Sequence, residues 1–225
     1  MEGRLRFLLV EASLELAPRH LWGHPEIVAT ARRYGLSPGD VLLDKSLHYD
    51  ALKSLPYKWK RGRPDILHIT LLNILDSPLA EDGRVEVLFH TIEGRVFAVD
   101  PATRLPKHYD RFKGLMAQLL KTGRVPPEGR PLIWELKRPL ESVIDYAVLL
   151  EEDGRDMSVV DVARLSLKEG AWLVIGVFPR GRVSKRIRGL AGEVVKIYGG
   201  RPMKAWTVAS RIVCAGEYLL GYGFA

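Results

Sequence analysis

Three clusters of cations occupy positions suited to gripping an anionic polymer. The first is Lys58, Lys60, Arg61 and Arg63, with Tyr57 and Trp59 set between the charges. Guanidinium forks match phosphate oxygens, and aromatic faces offer unpaired bases a surface to stack on. The second is Arg104, Lys107 and Arg111, spaced i, i+3 and i+7 and leading into a helical pattern that begins at Tyr109. Alignment of all three on one helical face would line charge along a backbone groove, but Pro106 bars a regular helix across them. The third is Arg180, Arg182, Lys185, Arg186 and Arg188. A solvated charged loop is the plain alternative for any one cluster, whereas three beside candidate site loops favour RNA.

Asp65 follows Pro64 at the expected start of a helix, where the helix dipole alone would favour a carboxylate. Its functional reading is a group that orients arginines or meets the target base. Gly176 and Gly181 bracket the end of an apolar run, and Gly199-Gly200-Arg201-Pro202 forms a tight turn. Each has two readings, a sharp bend or a place where a ligand approaches backbone closely. The histidines (His20, His24, His48, His68, His90 and His108) are scattered and predict no metal site. Cys214, the single cysteine, falls in an apolar stretch and reads as a buried, inert thiol. Neither a phosphate loop, nor a dinucleotide fingerprint, nor a Gly-x-Ser-x-Gly elbow is present.

These residues need elements to hold them. Leu5 to Val10 reads as a buried strand. Pro25 to Tyr34 reads as a helix with proline in its first turn and Gly35 past its end. Val41 to Asp44 is a short apolar run, and Ser46 to Leu55 reads as a helix. Asp65 to Leu75 reads as a heavily buried helix entered through Pro64. Arg84 to Thr91 and Arg95 to Val99 read as a hairpin turning at Ile92-Glu93-Gly94. Tyr109 to Lys121 reads as an amphipathic helix stopped by Gly123, and Val125 to Pro131 as a loop. Tyr146 to Leu150, Ala171 to Phe178 and Glu193 to Tyr198 read as strands alternating with helices over Ser158 to Lys168 and Lys204 to Leu220. Ser158 is the expected cap of the first of these helices, with Asp161 three residues on. That alternation predicts an α/β domain with a parallel sheet.

The bulk numbers agree. The chain has 225 residues, 47% of them hydrophobic, enough for one large domain with a full core. Thirty-four Lys and Arg against 27 Asp and Glu give a formal charge of +7, which favours an anionic partner. One cysteine excludes an intrachain disulfide and a multi-cysteine zinc site and suits a reducing cytoplasm. No apolar run reaches membrane-spanning length, and no signal peptide is evident. The expectation is a soluble cytoplasmic protein.

Lys60-Arg61-Gly62-Arg63-Pro64-Asp65, followed by Leu71-Leu72-Asn73-Ile74-Leu75-Asp76-Ser77-Pro78-Leu79, resembles the hallmark of the archaeal and eukaryotic ribosome-biogenesis pseudouridine-N1 methyltransferases. Thr103-Arg104-Leu105-Pro106 with Tyr109-Asp110-Arg111-Phe112-Lys113-Gly114-Leu115-Met116 resembles a second block of that family. The run ending at Gly181, and Pro202-Met203-Lys204-Ala205, resemble two more. The likeness spans nearly the whole chain.

The resemblance implies a SPOUT-type parallel sheet with a C-terminal trefoil knot, in one domain over 1–225 with an inserted hairpin and basic segment around 80–110. It implies a homodimer, S-adenosyl-L-methionine as methyl donor, small-subunit rRNA as substrate, and ribosomal proteins or assembly factors as further partners. The implied cofactor residues are Leu150, Gly176, Gly181, Gly200, Arg201, Pro202, Met203, Lys204 and Ala205. The implied RNA contacts are Arg61, Arg63, Arg104, Lys107 and Arg111, with Lys107 standing where relatives carry arginine. Asp65 is the catalytic candidate, holding an arginine in place or acting as base, and no metal is implied. Two other readings compete: a ribosome assembly factor that binds rRNA without catalysis, and a SPOUT methyltransferase with a different RNA target. Methyl transfer to an isolated hairpin separates the first from the enzyme, and replacing pseudouridine by uridine separates the second.

Overall fold

The computed structural model describes residues 3–223, and within them one sheet of eight strands carries the molecule. Its strands are β1 Leu5–Ala12, β2 Val85–Thr91, β3 Val96–Val99, β4 Arg124–Val125, β5 Ile133–Glu135, β6 Ala147–Asp156, β7 Trp172–Gly176 and β8 Glu193–Lys196, in the order β4-β5-β3-β2-β1-β7-β6-β8. The helices are α1 Pro25–Tyr34, α2 Tyr49–Leu52, α3 Pro64–Leu75, α4 Pro78–Glu81, α5 Tyr109–Thr122, α6 Val159–Glu169, α7 Lys185–Arg188 and α8 Ala205–Leu220. No helix among the described residues is long and apolar enough to cross a membrane.

The sheet divides into two halves of different character. β2, β1, β7, β6 and β8 are mutually parallel, as the alternation of strands and helices predicts. β3, β5 and β4 add an antiparallel edge. The expected hairpin over Arg84 to Val99 is present, and its first strand lies within the sheet as the parallel neighbour of β1. β4 ends where the loop expected over Val125 to Pro131 begins, and β5 lies beyond that loop; strands of two and three residues carry no measurable period.

Alternation along the strands builds a core on each face. Leu5, Phe7, Leu9, Val87, Phe89, Leu173 and Ile175 face the layer of α3, α5, α6 and α8. Leu8, Val10, Leu88, Leu149, Trp172 and Val174 face the other way, covered by Leu140, Val183 and Ile187 from loops and α7. Phe7, Phe89, Phe97 and Trp172 are fully buried, and each large apolar side chain removed from water contributes about 1.5–3 kcal/mol. A third, smaller core joins Leu21, Ile27, Val41, Leu43 and Leu52 under α1.

Local signals set several boundaries. α1 and α3 begin at prolines in their first turn, and Gly35 and Gly123 close α1 and α5. Ser158 caps α6 by accepting the Asp161 N–H at 3.0 Å. The helix expected over Ser46 to Leu55 shrinks to the single turn of α2. Asp44 Oδ1 accepts from both Ser46 N and Ser46 Oγ, at 3.0 and 2.7 Å, holding the entry as a side-chain turn. Cys214, expected to be buried, is exposed. The buried stripe of α8 is Ala209, Ile212, Val213 and Gly216, and helical periodicity turns position 214 outward.

Candidate active site

Parallel strands β1, β7, β6 and β8 end on one edge of the sheet, the edge where open α/β sheets seat ligands. A cavity of about 410 Å³ opens there, within the range of roughly 300–1,000 Å³ common to small-molecule sites. Arg63 and Ile66 at the start of α3 line one side, and three further stretches wall the rest. Leu150, Glu151 and Glu152 come from β6, Gly176 and Phe178 to Gly181 from the end of β7 and its loop, and Lys196, Ile197 and Gly200 to Trp206 from the end of β8 through the start of α8. All of the cofactor residues implied by the sequence, Leu150, Gly176, Gly181 and Gly200 to Ala205, lie on this wall.

Backbone geometry shapes the cavity. β6 pairs with β8 through Leu150, and the register then shifts before resuming at Arg155. Glu151 and Glu152, on the cavity wall, fall within that break. Gly200 has φ of 76°, and a Cβ there would stand 2.6 Å from the Glu152 carbonyl oxygen, so the turn closes on β6 only with glycine. Gly176 has a different reason for its identity. A Cβ would meet the Phe178 ring at 2.7 Å, so a side chain at 176 displaces that ring within the cavity wall. α8 starts at the wall with Lys204 as its cap and no side-chain hydrogen bond, leaving its first N–H groups available to a ligand oxygen.

Charge is distributed unevenly around the opening. Arg182 pairs with Asp153, Arg186 with Glu141, and Arg188 with both Glu151 and Asp153. Glu151 also accepts the Val183 N–H at 2.9 Å, fixing the loop beyond Gly181. Most of the third basic cluster is therefore consumed in holding that loop. Arg180, Arg201 and Lys204 are exposed on the cavity wall and have no acidic partner among the described residues.

The first basic cluster also splits. Lys60 turns inward to Glu11 at 2.5 Å and lies over the Phe178 ring at 4.2 Å. Burial alone would raise the Glu11 carboxyl, but hydrogen bonds from Lys60 and Ser184 outweigh it and hold the group below the usual range. Arg61 turns inward to the buried Glu15 and donates to the Pro56 carbonyl at 2.7 Å. The Arg61 side chain is 13% exposed, against 40% for Arg63. Arg63 remains on the cavity wall, its side chain 40% exposed, and forks onto Asp65.

Arg104 and Lys107 lie in the stretch before α5, and only Arg111 is on the helix itself. Arg104 meets Glu81 at 3.4 Å and Lys107 meets Asp76 at 3.2 Å, both as exposed pairs. Pro106 O accepts from His68 Nε2 at 2.8 Å, tying this stretch to α3. Arg63 precedes α3 and Asp76 follows it, so Arg63 and Lys107 mark opposite ends of a helix about 18 Å long.

One further group supports the site although its members lie far apart in the sequence. Tyr109 donates to Asp44 Oδ2 at 3.1 Å, and Lys113 Nζ meets the same oxygen at 3.1 Å, which bolts α5 to the segment before α2. Asp44 stays below the usual carboxylate range because Ser46 and Lys113 outweigh its burial, while burial pushes the Tyr109 hydroxyl upward. Lys45 N donates to Gly62 O at 2.8 Å, carrying the anchor to the residue beside Arg63. Burial keeps His48, His68 and His90 below the ordinary imidazole value, in structural roles. Among the described residues no group of three or more His, Cys, Asp or Glu is placed to hold a metal.

Comparison with known proteins agrees with this geometry. The chain is 48% identical over 219 residues to the ribosomal RNA small subunit methyltransferase Nep1 of Aeropyrum pernix, covering 96% of this chain and 98% of that protein. It is 39% identical over 225 residues to the protein of the same name from Staphylothermus marinus, covering 97% of each. A crystal structure of Archaeoglobus fulgidus Nep1 bound to S-adenosylhomocysteine superposes with a TM-score of 0.87 at 35% identity, over 97% of this chain and 100% of that one. The α/β architecture is the SPOUT fold of that structure. Residues 7–217 match the model of the EMG1/NEP1 methyltransferases, and the chain belongs to that family.

Proposed function

We propose that this protein uses S-adenosyl-L-methionine to methylate N1 of a pseudouridine in small-subunit rRNA, and that it acts in small-subunit biogenesis. One observation carries the reading: the cavity at the carboxyl ends of β6, β7 and β8 joins an uncapped helix start and unpaired cations to an arginine held at its lip. The relatives' names and the demethylated donor bound to the Archaeoglobus protein support it. So does the fit of the wall. Leu150, Ile197 and Met203 give it apolar surface, and the α8 start gives N–H donors for a carboxylate.

S-adenosylmethionine, when bound there, supplies an electrophilic methyl group. Leu150, Gly176, Gly181 and Gly200 to Ala205 hold it, and Arg180, Arg201 and Lys204 draw the RNA toward the same opening. Pseudouridine is joined to ribose through carbon, so its N1 bears a hydrogen, whereas N1 of uridine is taken up by the glycosidic bond. As the N1 proton leaves for water, negative charge spreads to the base carbonyls. Arg63 commits Nε and one N–H of Nη2 to Asp65, leaving guanidinium donors for those carbonyls. With both of its oxygens on Arg63, Asp65 acts by holding that arginine. Arg104, Lys107 and Arg111 extend the RNA contact along α3 and α5. The same reading includes a homodimer, a trefoil knot near the carboxyl end and a cytoplasmic place of action.

Labelled methyl transfer to a short hairpin containing pseudouridine tests the assignment. Label is expected in that RNA and absent from its uridine counterpart, with 1-methylpseudouridine among the digested nucleosides. Equal labelling of both RNAs would overturn the N1 assignment, and no labelling of either would overturn the enzyme.

A further inference from the structure

Tyr57 and Trp59 stand exposed beside the cavity. Tyr57 is 62% exposed and Trp59 48%. Their rings meet edge to face, centroids 5.6 Å apart at 82°. Gly181 is on the cavity wall, and Trp59 Nε1 lies 3.4 Å from where a Cβ on Gly181 would be. Lys58, between the two rings, is exposed and has no acidic partner among the described residues.

Both sides of this loop are pinned. Lys60 is held by Glu11 and Arg61 by Glu15, and the Lys60 carbonyl accepts from Ser13 Oγ. Arg61 Nε also reaches back to Pro56 O at 2.7 Å, across the base of the loop. Tyr57 itself sits at φ 53° and ψ 37°, a left-handed conformation that costs a residue with a side chain and persists only where the surroundings impose it. Two aromatic rings therefore stand exposed beside a cationic opening, on a loop whose ends are tied down.

We infer that Tyr57 and Trp59 form a stacking platform for an unpaired nucleobase next to the nucleotide drawn into the cavity, with Lys58 on the adjoining phosphate. The inference rests on the proposed RNA substrate and adds a second binding position to it. A flat π face beside an unneutralised cation suits a nucleotide better than an apolar protein segment, and stacking accepts any base. Held this way, a neighbouring base fixes the direction in which the strand enters and keeps the target nucleotide out of its own stack.

The test measures affinity of the full-length protein for the pseudouridine hairpin and for versions with an abasic spacer at each nucleotide flanking the target. Trp59→Ala is expected to weaken binding about tenfold, with Trp59→Phe recovering most of the loss. One spacer position should weaken wild-type binding similarly yet add little to Trp59→Ala, with S-adenosylhomocysteine affinity unchanged. Wild-type RNA affinity in a Tyr57→Ala/Trp59→Ala double variant overturns the platform while leaving methyl transfer by the wild-type protein intact. Losses from spacer and substitution that add in full overturn it as well. Unchanged RNA affinity with altered sedimentation would give the rings to a protein contact instead. Failure of the wild-type protein to bind the hairpin removes the proposed substrate, and the platform with it.

Discussion

Arg63 and Asp65 grip each other through two hydrogen bonds, Nε to Oδ1 at 2.7 Å and Nη2 to Oδ2 at 2.6 Å, at the lip of the cavity. A fork of this kind fixes the plane of the guanidinium as well as its position. Asp65→Asn replaces one acceptor with a donor facing the arginine and breaks the fork. We expect kcat to fall about 10- to 100-fold from misplacement alone, with S-adenosylhomocysteine affinity unchanged and the pH–rate profile keeping its shape. Loss of the acidic limb of that profile, the fall in rate at low pH, would instead make Asp65 the proton acceptor.

Arg104 is exposed, and its pair with Glu81 is a surface contact of little energetic weight. Arg104→Ala should leave the thermal midpoint nearly unchanged and weaken RNA binding. Each lost phosphate contact should lower the salt slope by about 0.7 for single-stranded RNA. Arg111→Ala should behave the same way. Parallel losses of RNA and S-adenosylhomocysteine affinity would show that these residues support the fold rather than the substrate.

Gly200→Ala places a methyl group against the Glu152 carbonyl in a left-handed turn. The conformation alone costs about 1–2 kcal/mol, and relief of the clash must move the cavity wall. Affinity for S-adenosylhomocysteine should drop at least about tenfold, which corresponds to 1.4 kcal/mol. Unchanged affinity in a folded variant would place the ligand elsewhere.

Glu15 gives stability a dependence on pH. Burial outweighs the pull of Arg61, which bonds only Oε2 and leaves Oε1 buried without a partner, and pushes the carboxyl from 4.5 to about 7. Because the folded-state value is raised, the folded protein holds more protons between these limits. Stability therefore falls as pH rises through that window. At about 1.4 kcal/mol for each pH unit spanned, the full fall is roughly 3 kcal/mol. Urea midpoints at pH 5 and pH 8 should show it in the wild-type protein and lose it in Glu15→Gln. Parallel behaviour of the two proteins would show that Glu15 stays ionised throughout.

Local chemistry was the legible part of the sequence. Pro25 with Gly35, Ser158 with Asp161, and Pro64 before an apolar run each act within a few residues, and the helices start and stop where they indicate. The cavity residues were reached through the family resemblance, since periodicity alone left the glycine turns with two readings. Pairings across long separations were not legible. Glu11 with Lys60 and Asp44 with Tyr109 join positions 49 and 65 apart, and only the crossing of β1, α3 and α5 brings them together. One signal was available: Glu11 and Glu15 interrupt an otherwise apolar stretch, and a carboxylate buried there requires a cation. That requirement turns Lys60 and Arg61 inward.

The proposed site rests on one assumption, that the methyl donor is held between β6, β7 and the start of α8. Titration calorimetry with S-adenosylhomocysteine, on protein whose folding is confirmed by circular dichroism, puts that assumption to the test. Saturable heat from a single site per chain, sharply reduced in Gly200→Ala and unchanged in Arg104→Ala, is the expected outcome. Absence of heat from the folded wild-type protein would contradict it.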